Sequence, residues 1–494
     1  MKMEGAKSRG GVRKGAGRKR ILDKKIATQI YLTSTMKEQI EMINIDTCKN
    51  FSQKCNHLIR KGIEAMLLDY NKTDLSTDTI KYIDLFAGMG GLRLGFEQAL
   101  HDMGLKGESV FVSEIKKHAI EAYKKNFPNE EIHGDITQID ENTLPDFDYV
   151  LAGFPCQAFS SAGNRLGFED TRGTLFFDVA RIIKKKQPKG FLLENVEGLV
   201  THDGGNTLRV ILSTLEELGY KVNYKVLDSQ NFGLAQSRKR IYIVGARKDI
   251  PNLDLFEVKK EKLDSIIEYD VEPLHSEFTD KLLSHYTLED VIGKQIKDKR
   301  GGENNIHSWD FGLKGEISEK QKELLDVLLR QRRNKKWASI IGIDWMDGMP
   351  LTVEMISTFY EDENLKELLD DLVEKGYLAY EYPKKKVGNR RIYDESLEKG
   401  YNIITGKLSF EYSKILDPNG VTPTLVATDV SKLAVPVREG IRPLTTREGL
   451  KLFGFPDSYS VEHLDKTKVF DLLGNTVCVP VVKAVARRLL KVDF

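Results

Sequence analysis

The sequence has little of several features that define whole classes of protein. Its 494 residues include only four cysteines, Cys48, Cys55, Cys156 and Cys478, whose scattered positions give neither a disulfide framework nor a zinc-ligand pattern. Uninterrupted runs of about 18 apolar residues are absent, so no membrane span is expected. The charged N-terminus lacks the apolar stretch of a signal peptide. The sequence therefore predicts a cytoplasmic protein without a metal site.

Net charge is also nearly absent, at +1 from 75 basic and 74 acidic side chains. This balance conceals an uneven distribution. Residues 1–25 hold ten Lys or Arg against Glu4 and Asp23, so this arm carries +8 and the remaining 469 residues carry −7. A basic, Gly-rich arm is typical of segments that contact nucleic acid.

The segment after the arm predicts one strand and two helices. Apolar residues alternate with other side chains over residues 26–32, the period of a strand. Thr33 and Ser52 then offer N-caps for two helices. So small a unit cannot bury its own apolar face, and pairing with a second copy is expected.

This order of elements, over residues 26–69, resembles the ribbon-helix-helix family of DNA-binding dimers. The paired strands of that family lie in the major groove, which would place Gln29 and Tyr31 against the bases. The alternative interpretation is a small helical cap packed on the rest of the chain. A polar linker is predicted at 70–79.

From residue 80 onward, apolar strands alternate with helical segments. Strands are predicted at 80–86, 109–113, 147–153, 190–194, 221–228 and 240–246. Strands with intervening helices predict an α/β fold whose parallel sheet is covered on both faces.

After about Pro251 the sequence becomes more charged and less regular. Within this region, amphipathic helices at 316–334 and 362–376 precede a basic turn at 384–391. Helices followed by a basic hairpin resemble a winged helix, and a plain helical insertion fits equally well. The candidate DNA contacts in the turn are Lys385, Arg390 and Arg391.

The first chemical motifs suit a nucleotide-like ligand. A glycine-rich turn at 84–91 follows the first strand, and glycines there allow a backbone to approach a ligand closely. Glu114 ends the next strand, where an acid accepts hydrogen bonds from ribose hydroxyls. Asp135 follows a further candidate strand end.

Reactive side chains stand at the ends of three other strands, where Cys156 follows one, Glu194 ends another, and Arg238 and Arg240 come just before a third. Cys156 comes after Pro155 in GFPCQ, Glu194 stands in ENV, and Arg238 and Arg240 belong to QSRKR. A thiol at a strand end facing a cofactor cleft suits a nucleophile. The alternatives are a buried inert cysteine and ordinary surface charge.

Taken in order, these motifs resemble the cytosine-C5 DNA methyltransferases, in particular the bacterial restriction–modification members. The match covers about 80–250 and 420–494 through DLFAGMGGLRLGFE, GDIT, GFPCQAFS, GFEDTRGTLFFD, ENV, QSRKRIY, RPLTTREGLKLFGFPDSY and GNTV. It implies a Rossmann-like, S-adenosylmethionine-dependent methyltransferase domain with a mixed sheet, at 80–250 and 436–494. A separate variable target-recognition domain, with a winged-helix insertion at 316–395, would occupy 251–435.

The resemblance also implies residue roles. Cys156 would attack C6 of a cytosine flipped out of duplex DNA, Glu194 would protonate N3, and Arg238, with Arg240, would hold O2. Residues implied to bind S-adenosylmethionine are Phe86, Ala87, Gly88, Gly90, Gly91, Glu114, Ile115, Asp135, Ile136, Pro155, Leu175, Asn475 and Val477. Ile115 stands where the family often has Trp, so weaker cofactor binding is expected. Arg447 and Glu448 match a motif with a structural role.

The implied biological role is protection of host DNA from a cognate restriction endonuclease. Two other functions stay open. A tRNA cytosine methyltransferase of related fold would label RNA in preference to duplex DNA, although the long 251–435 region favours DNA. Transcriptional regulation through residues 1–69 could coexist with methylation.

Overall fold

The computed structural model describes residues 40, 51, 52, 54, 55, 57, 58, 79–155, 175–388, 390–405, 410–426 and 430–494. The chain divides into two compact units, Met1–Leu75 and Ser76–Phe494. All seven described positions of the first unit are helical, in agreement with the two predicted helices. The basic arm and the predicted strand with Gln29 and Tyr31 lie outside the described residues.

A seven-stranded mixed sheet forms the centre of the second unit, with the order β3-β2-β1-β4-β5-β7-β6. Its strands are β1 (Ile80–Leu85), β2 (Gly107–Ser113), β3 (Ile132–His133), β4 (Tyr149–Gly153), β5 (Gly190–Val196), β6 (Lys221–Asp228) and β7 (Lys239–Ala246). The mixed sheet that the resemblance implies is confirmed. The parallel pairing that alternation alone predicts is correct for β1 to β5, whereas β7 is antiparallel to both β5 and β6. The connection between β6 and β7 is too short for the crossover that a parallel pair requires.

Helices cover both faces of this sheet. They are α1 (Gly91–Asp102), α2 (Lys117–Asn126), α3 (Leu175–Lys186) and α4 (Asn206–Glu217), joined by the C-terminal helices α11 (Thr446–Leu452), α12 (Lys466–Asn475) and α13 (Val479–Leu490). Neighbouring residues of β1 belong to two apolar cores, with Tyr82 in one and Ile83 in the other. The sheet is therefore buried on both sides, as expected for a parallel α/β arrangement.

The C-terminal helix α13 returns to pack on α1. Gly95 permits this approach, because a Cβ there would lie 2.5 Å from the Cβ of Val482. By length and composition alone, the segment Lys466–Leu490 is apolar enough to cross a membrane. In the fold it is interrupted after Asn475, and 67% of its apolar window is buried. Packing in the core accounts for its apolar character.

A five-stranded sheet in the order β16-β15-β14-β8-β9 forms part of the region after residue 250. Its strands are β8 (Gln295–Ile296), β9 (Asn305–Ile306), β14 (Lys414–Ile415), β15 (Leu433–Val437) and β16 (Gly440–Pro443). The apolar core on one face of the large sheet continues to Leu263 and includes Leu433. The proposed limits of a recognition domain, at 251 and 435, therefore lie within a shared core and stay predictions.

Between β9 and β14 a further apolar core runs from Trp309 to Ile403. The helices of the region are α5 (Glu277–His285), α6 (Leu288–Val291), α7 (Glu319–Gln331), α8 (Lys336–Ile341), α9 (Val353–Ser357) and α10 (Leu365–Glu374). The strands β10 (Leu378–Glu381) and β13 (Gly400–Ile403) pair antiparallel, and β11 (Lys384–Val387) forms a hairpin with β12 (Arg390–Tyr393). The predicted helices and basic hairpin are thus present.

Glu448 joins β16 to the segment around Glu268, and Arg447 forms an ion pair with Asp457. Glu448 is fully buried, lies 2.7 Å from the Arg442 guanidinium, and accepts a hydrogen bond from the Glu268 backbone N–H at 2.8 Å. It also completes the N-terminal capping box of α11 with Thr445. These contacts agree with the expected structural role.

Candidate active site

A cavity of about 750 Å³ opens at the carboxyl ends of the parallel strands. Residues that follow β1, β2, β4 and β5 line it, because parallel strands bring their carboxyl ends to one edge of the sheet. Its lining includes Phe86, Gly88, Glu114, Ile115, Asp135, Ile136, Pro155, Leu175, Glu194, Arg238, Arg240 and Asn475. Most of the predicted site residues are therefore brought together in one cavity large enough for a nucleoside-sized ligand.

Glu114 organises the turn at one end of the cavity. One carboxylate oxygen accepts the Gly88 N–H at 2.7 Å, and the other accepts the N–H groups of Ile115 and Lys116, each at 2.8 Å. Gly88 has a φ of 55°, a conformation that favours glycine. Since a carboxylate has about four acceptor positions, Glu114 keeps capacity to accept ribose hydroxyls.

The neighbouring wall is apolar and suited to a flat ring. Ile115 is 70% exposed, an unusual state for a large aliphatic side chain, and it lines the cavity. Asp135 caps the next turn through one oxygen, which accepts the Thr137 N–H at 2.9 Å. Ile115 thus provides apolar contact where the family often has Trp.

Four predicted cofactor residues, Ala87, Gly90, Gly91 and Val477, do not line the cavity. A Cβ at Gly90 would meet the Phe127 ring at 2.6 Å, and one at Gly91 would meet a Val477 methyl at 2.9 Å. These residues are buried in the contact of the turn with its neighbours. These four residues therefore support the cavity wall by packing and do not line the cavity themselves.

The C-terminal helix α12 supplies the opposite wall through Asn475. Asp471, one turn earlier, lies 2.7 Å from Lys116 Nζ and 2.5 Å from His118 Nε2. The Asn475 amide donates to the Asp471 carbonyl at 2.8 Å. This ion cluster fixes a segment from the end of the chain beside the turn after β2.

Glu194 and Arg240 meet at the other end of the cavity. They extend from the antiparallel strands β5 and β7, and Arg240 Nε lies 3.2 Å from Glu194 Oε1. Burial raises the pKa of Glu194, and the positive charges of Arg240 and Arg238 oppose this rise. A buried carboxyl with a raised pKa is suited to donate a proton.

Arg238 also lines the cavity, and backbone carbonyls hold its guanidinium. Its guanidinium donates to the carbonyls of Leu425 at 2.8 Å, Gly474 at 3.0 Å and Thr476 at 2.8 Å. It is 3% exposed, and burial together with the charge of Arg240 lowers its pKa to about 10. Arg238 therefore holds three backbone segments together, and it is Arg240 that faces Glu194.

Cys156 and the segment 157–174 lie outside the described residues. Pro155, directly before Cys156, lines the cavity. The Asn195 side-chain amide donates to the carbonyl of Phe154 at 2.9 Å and so fixes the turn that leads to Pro155. Sequence reasoning overlooked Asn195, although its place in the ENV motif marks it.

Other lining residues were also not predicted, among them Ser113, Lys116, Val426, Leu472 and Thr476. Of these, Val426 is far from every motif in sequence and carries no local signal. In the part of the chain that the structure describes, no group of three or more His, Cys, Asp or Glu side chains is placed to hold a metal ion.

The sheet, the cavity at its carboxyl edge and the buried Glu–Arg pair define an S-adenosylmethionine-dependent methyltransferase. The model of the C-5 cytosine-specific DNA methylase family matches residues 80–491. The chain belongs to this family.

Curated relatives are bacterial type II methyltransferases. The chain is 58% identical to M.NlaIV of Neisseria lactamica over 418 residues, which is 83% of this chain and 99% of the relative. It is 42% identical to M.HgiCI of Herpetosiphon aurantiacus over 438 residues, covering 83% and 98% of the two chains. About a sixth of this chain has no counterpart in either relative.

Solved structures with similarity include a DNMT2 variant of Spodoptera frugiperda, at 18% identity and a TM-score of 0.44. That match covers 84% of this chain and 99% of the other. A prophage-encoded DNA modification methyltransferase from E. coli matches at 21% identity and a TM-score of 0.42, over 84% and 99% of the two chains.

A Glu114→Gln substitution should weaken S-adenosylmethionine binding by about tenfold to a hundredfold, since hydrogen bonds to a charged acceptor contribute about 1.5–3 kcal/mol. The amide would also disturb the three N–H contacts that fix the turn. Isothermal titration calorimetry with S-adenosylmethionine measures the effect, with Glu121→Gln on α2 as the control. Equal affinities for the two variants would contradict the assignment.

Proposed function

We propose that the protein transfers a methyl group to C5 of a cytosine flipped out of a specific duplex DNA site, through a covalent bond between Cys156 and C6. The observation that supports this most is the Glu194–Arg240 pair, 3.2 Å apart in the cavity that the Glu114 turn also lines. Cys156 directly follows Pro155 in the sequence, and Pro155 lines the same cavity. A nucleophile, a proton donor and a cation would thus surround one ring.

Each residue then has one task. The Cys156 thiolate attacks C6 while Glu194 gives a proton to N3, which draws electrons through the ring. Arg240 stabilises the negative charge that grows at O2. S-adenosylmethionine supplies the methyl group to C5. Loss of the C5 proton to solvent re-forms the C5=C6 bond and expels the Cys156 thiolate, and N3 returns its proton to Glu194.

We further infer that residues 316–395 form a winged helix that contacts DNA through its hairpin. Leu351, which precedes α9, forms an antiparallel β-bridge with Tyr401, which follows α10. Strand residues before and after a pair of helices are typical of the winged-helix fold. The hairpin carries five cations, Lys384, Lys385, Lys386, Arg390 and Arg391. Helix α10 carries four acids and one lysine, so the hairpin is the element suited to phosphate.

Three cations of the hairpin have partners that orient it. Lys384 lies 3.8 Å from Glu381, and Lys385 lies 3.3 Å from Asp394. Arg391 donates to the Trp345 carbonyl at 3.1 Å. Lys386 and Arg390 are exposed, and neither side chain has a partner among the described residues. These two side chains are thus open to a phosphate.

The first unit, Met1–Leu75, is proposed as a second DNA-binding module that pairs with another copy. Its +8 arm and its predicted strand–helix–helix order support this. The type II relatives support a partnership with a restriction endonuclease, whose cleavage the methylation would block. Operator binding by the first unit is compatible with both roles.

Methylation assays with tritiated S-adenosylmethionine test the proposal on duplex DNA and on tRNA. Labelling of duplex DNA is expected, with bisulfite sequencing reporting the site and the target cytosine. Deleting residues 1–75 should leave methylation intact but weaken DNA binding, and Arg390→Gln should weaken binding several-fold. Label that enters tRNA and not duplex DNA would contradict the proposal.

A further inference from the structure

A second cavity, of about 500 Å³, lies beside the active-site cavity. The two share Val426 in their walls. The segment 422–426 separates them and is fastened to the strand end that carries Arg238. The Thr424 hydroxyl donates to the Ser237 carbonyl at 2.8 Å, and the Leu425 carbonyl accepts from Arg238 at 2.8 Å. Only this backbone segment therefore separates the second cavity from the active-site cavity.

Among the described residues, the charged side chains that line this second cavity are all cations. These are Lys297, Lys299, Arg300, Lys414 and Lys432. The sequence places Asp298 among them, but its side chain turns away from the cavity. Asp298 is buried on the opposite side, where it accepts the Ser308 N–H at 2.8 Å and the Ser308 hydroxyl at 2.6 Å.

Neutralisation of these cations is incomplete. Lys299 lies 3.4 Å from Asp347, and Lys432 donates to the Phe410 carbonyl at 2.7 Å. Lys297 is hydrogen-bonded to the neutral amide of Gln295. Among the described residues, no carboxylate lies within ion-pair distance of Lys297, Arg300 or Lys414. Positive charge is thus left open to an anion from outside the chain.

We propose that this cavity binds phosphate groups of the DNA strand that flanks the flipped nucleotide. The inference rests on the proposed function, because duplex DNA is the ligand. Four of the five cations are lysines, which bind phosphate as point charges, whereas base reading favours the planar fork of arginine. A flipped base brings its own backbone to the cavity mouth, so phosphate contact and base capture would be coupled.

The electrostatics of Lys297 agree with this assignment. Partial burial and the nearby charges of Arg300 and Lys414 lower the pKa of Lys297. Cations held close together without a carboxylate repel one another in the free protein. A bound phosphate would relieve this repulsion.

Equilibrium binding of Lys297→Gln and Lys414→Gln tests the proposal in the full-length protein with S-adenosylhomocysteine present. One duplex carries the site mapped by bisulfite sequencing, and a second duplex of equal length lacks it. Each variant should bind the mapped duplex more weakly by about three- to tenfold, and the duplex without the site by a smaller factor, because that duplex presents no flipped nucleotide. The slope of log K against log salt should fall by about 0.9 per lysine.

Steady-state kinetics add a second readout, in which the KM for DNA rises while kcat and the KM for S-adenosylmethionine stay constant. The control is Lys225→Gln, at a lysine of β6 paired with Asp254, which should bind as the unaltered protein does. Unchanged affinity of both cavity variants for the mapped duplex would overturn the proposal, and so would an equal loss on the two duplexes. If the unaltered protein methylated no duplex, the proposed function would fail and the cavity assignment with it, whereas methylation with unchanged binding by both cavity variants would overturn the cavity assignment alone.

Discussion

Replacement of Cys156 by alanine should abolish methyl transfer to duplex DNA. The thiol is the group proposed to form the covalent bond to C6, and removing the nucleophile of a covalent enzyme costs on the order of 10⁴–10⁶ in kcat. Tritium transfer under single-turnover conditions measures the loss. Binding of S-adenosylmethionine should be retained, because Glu114, Ile115 and Asp135 line the cavity independently of the thiol.

A duplex containing 5-fluorocytosine at the target position separates nucleophilic attack from other causes of inactivity. The unaltered protein should form an adduct stable to denaturing gel electrophoresis. Fluorine at C5 cannot leave as the C5 proton does, so the thiolate is not expelled from C6. Cys156→Ala should form none. The control is Cys478→Ala, since Cys478 is buried and burial raises its thiol pKa to about 11, which makes it a poor nucleophile. Adduct formation by Cys156→Ala would exclude Cys156 as the nucleophile.

The location of the site could be predicted from sequence because its motifs end neighbouring strands. Glu114 and Glu194 are each the polar residue at the end of an apolar run, and parallel strands bring such ends together without any long-range information. The strand bounds follow from the same local pattern. The glycine turn was identified for the same reason, although only Gly88 of its glycines lines the cavity.

The role of Arg238 could not be predicted in this way. Its three carbonyl partners lie 187, 236 and 238 residues away in sequence, and no periodicity reports them. The basic cavity was overlooked for a related reason. Lys414 begins a strand of two residues and Lys297 directly follows another, both too short to give a period, and the burial of the Asp298 side chain away from the cavity is visible only in the fold.

The basic run at 384–391 is a stronger local signal for DNA contact than any around Lys297 or Lys414. The sequence therefore predicts DNA contact at the hairpin. The hairpin and the basic cavity differ in their distance from the chemistry. The cavity shares Val426 with the active-site cavity, whereas the hairpin lies between β10 and β13, two strands that contribute to the separate apolar core from Trp309 to Ile403. Cations next to the reacting base would couple DNA binding to base capture, and those on the hairpin would add affinity.

Substitution of Glu194 by glutamine should lower kcat by about 10²–10⁴, the range expected for loss of a general acid. Glutamine keeps the shape and a hydrogen bond but cannot give its proton to N3. The KM for S-adenosylmethionine should be unchanged. Glu197→Gln, just beyond the end of β5, is the matched control.

The direction of the Glu194 pKa shift predicts how the rate depends on pH. Glu194 acts as a proton donor in its neutral form, and burial raises its pKa, so the neutral form persists to higher pH than for an exposed glutamate. Single-turnover rates should fall as pH rises through that raised pKa, and the Glu194→Gln variant should lack this high-pH limb. An unchanged pH profile in the variant would show that another group donates the proton.

Arg240→Gln completes a double-mutant cycle with Glu194→Gln. Arg240 faces both Glu194 and the place proposed for O2, so the two single losses in kcat should be strongly non-additive. Arg238→Gln serves as the contrasting variant. Because its guanidinium joins three buried backbone carbonyls, its main effect should be a lower melting temperature. Independent, additive effects of Glu194 and Arg240 would mean that the pair does not act on one ring.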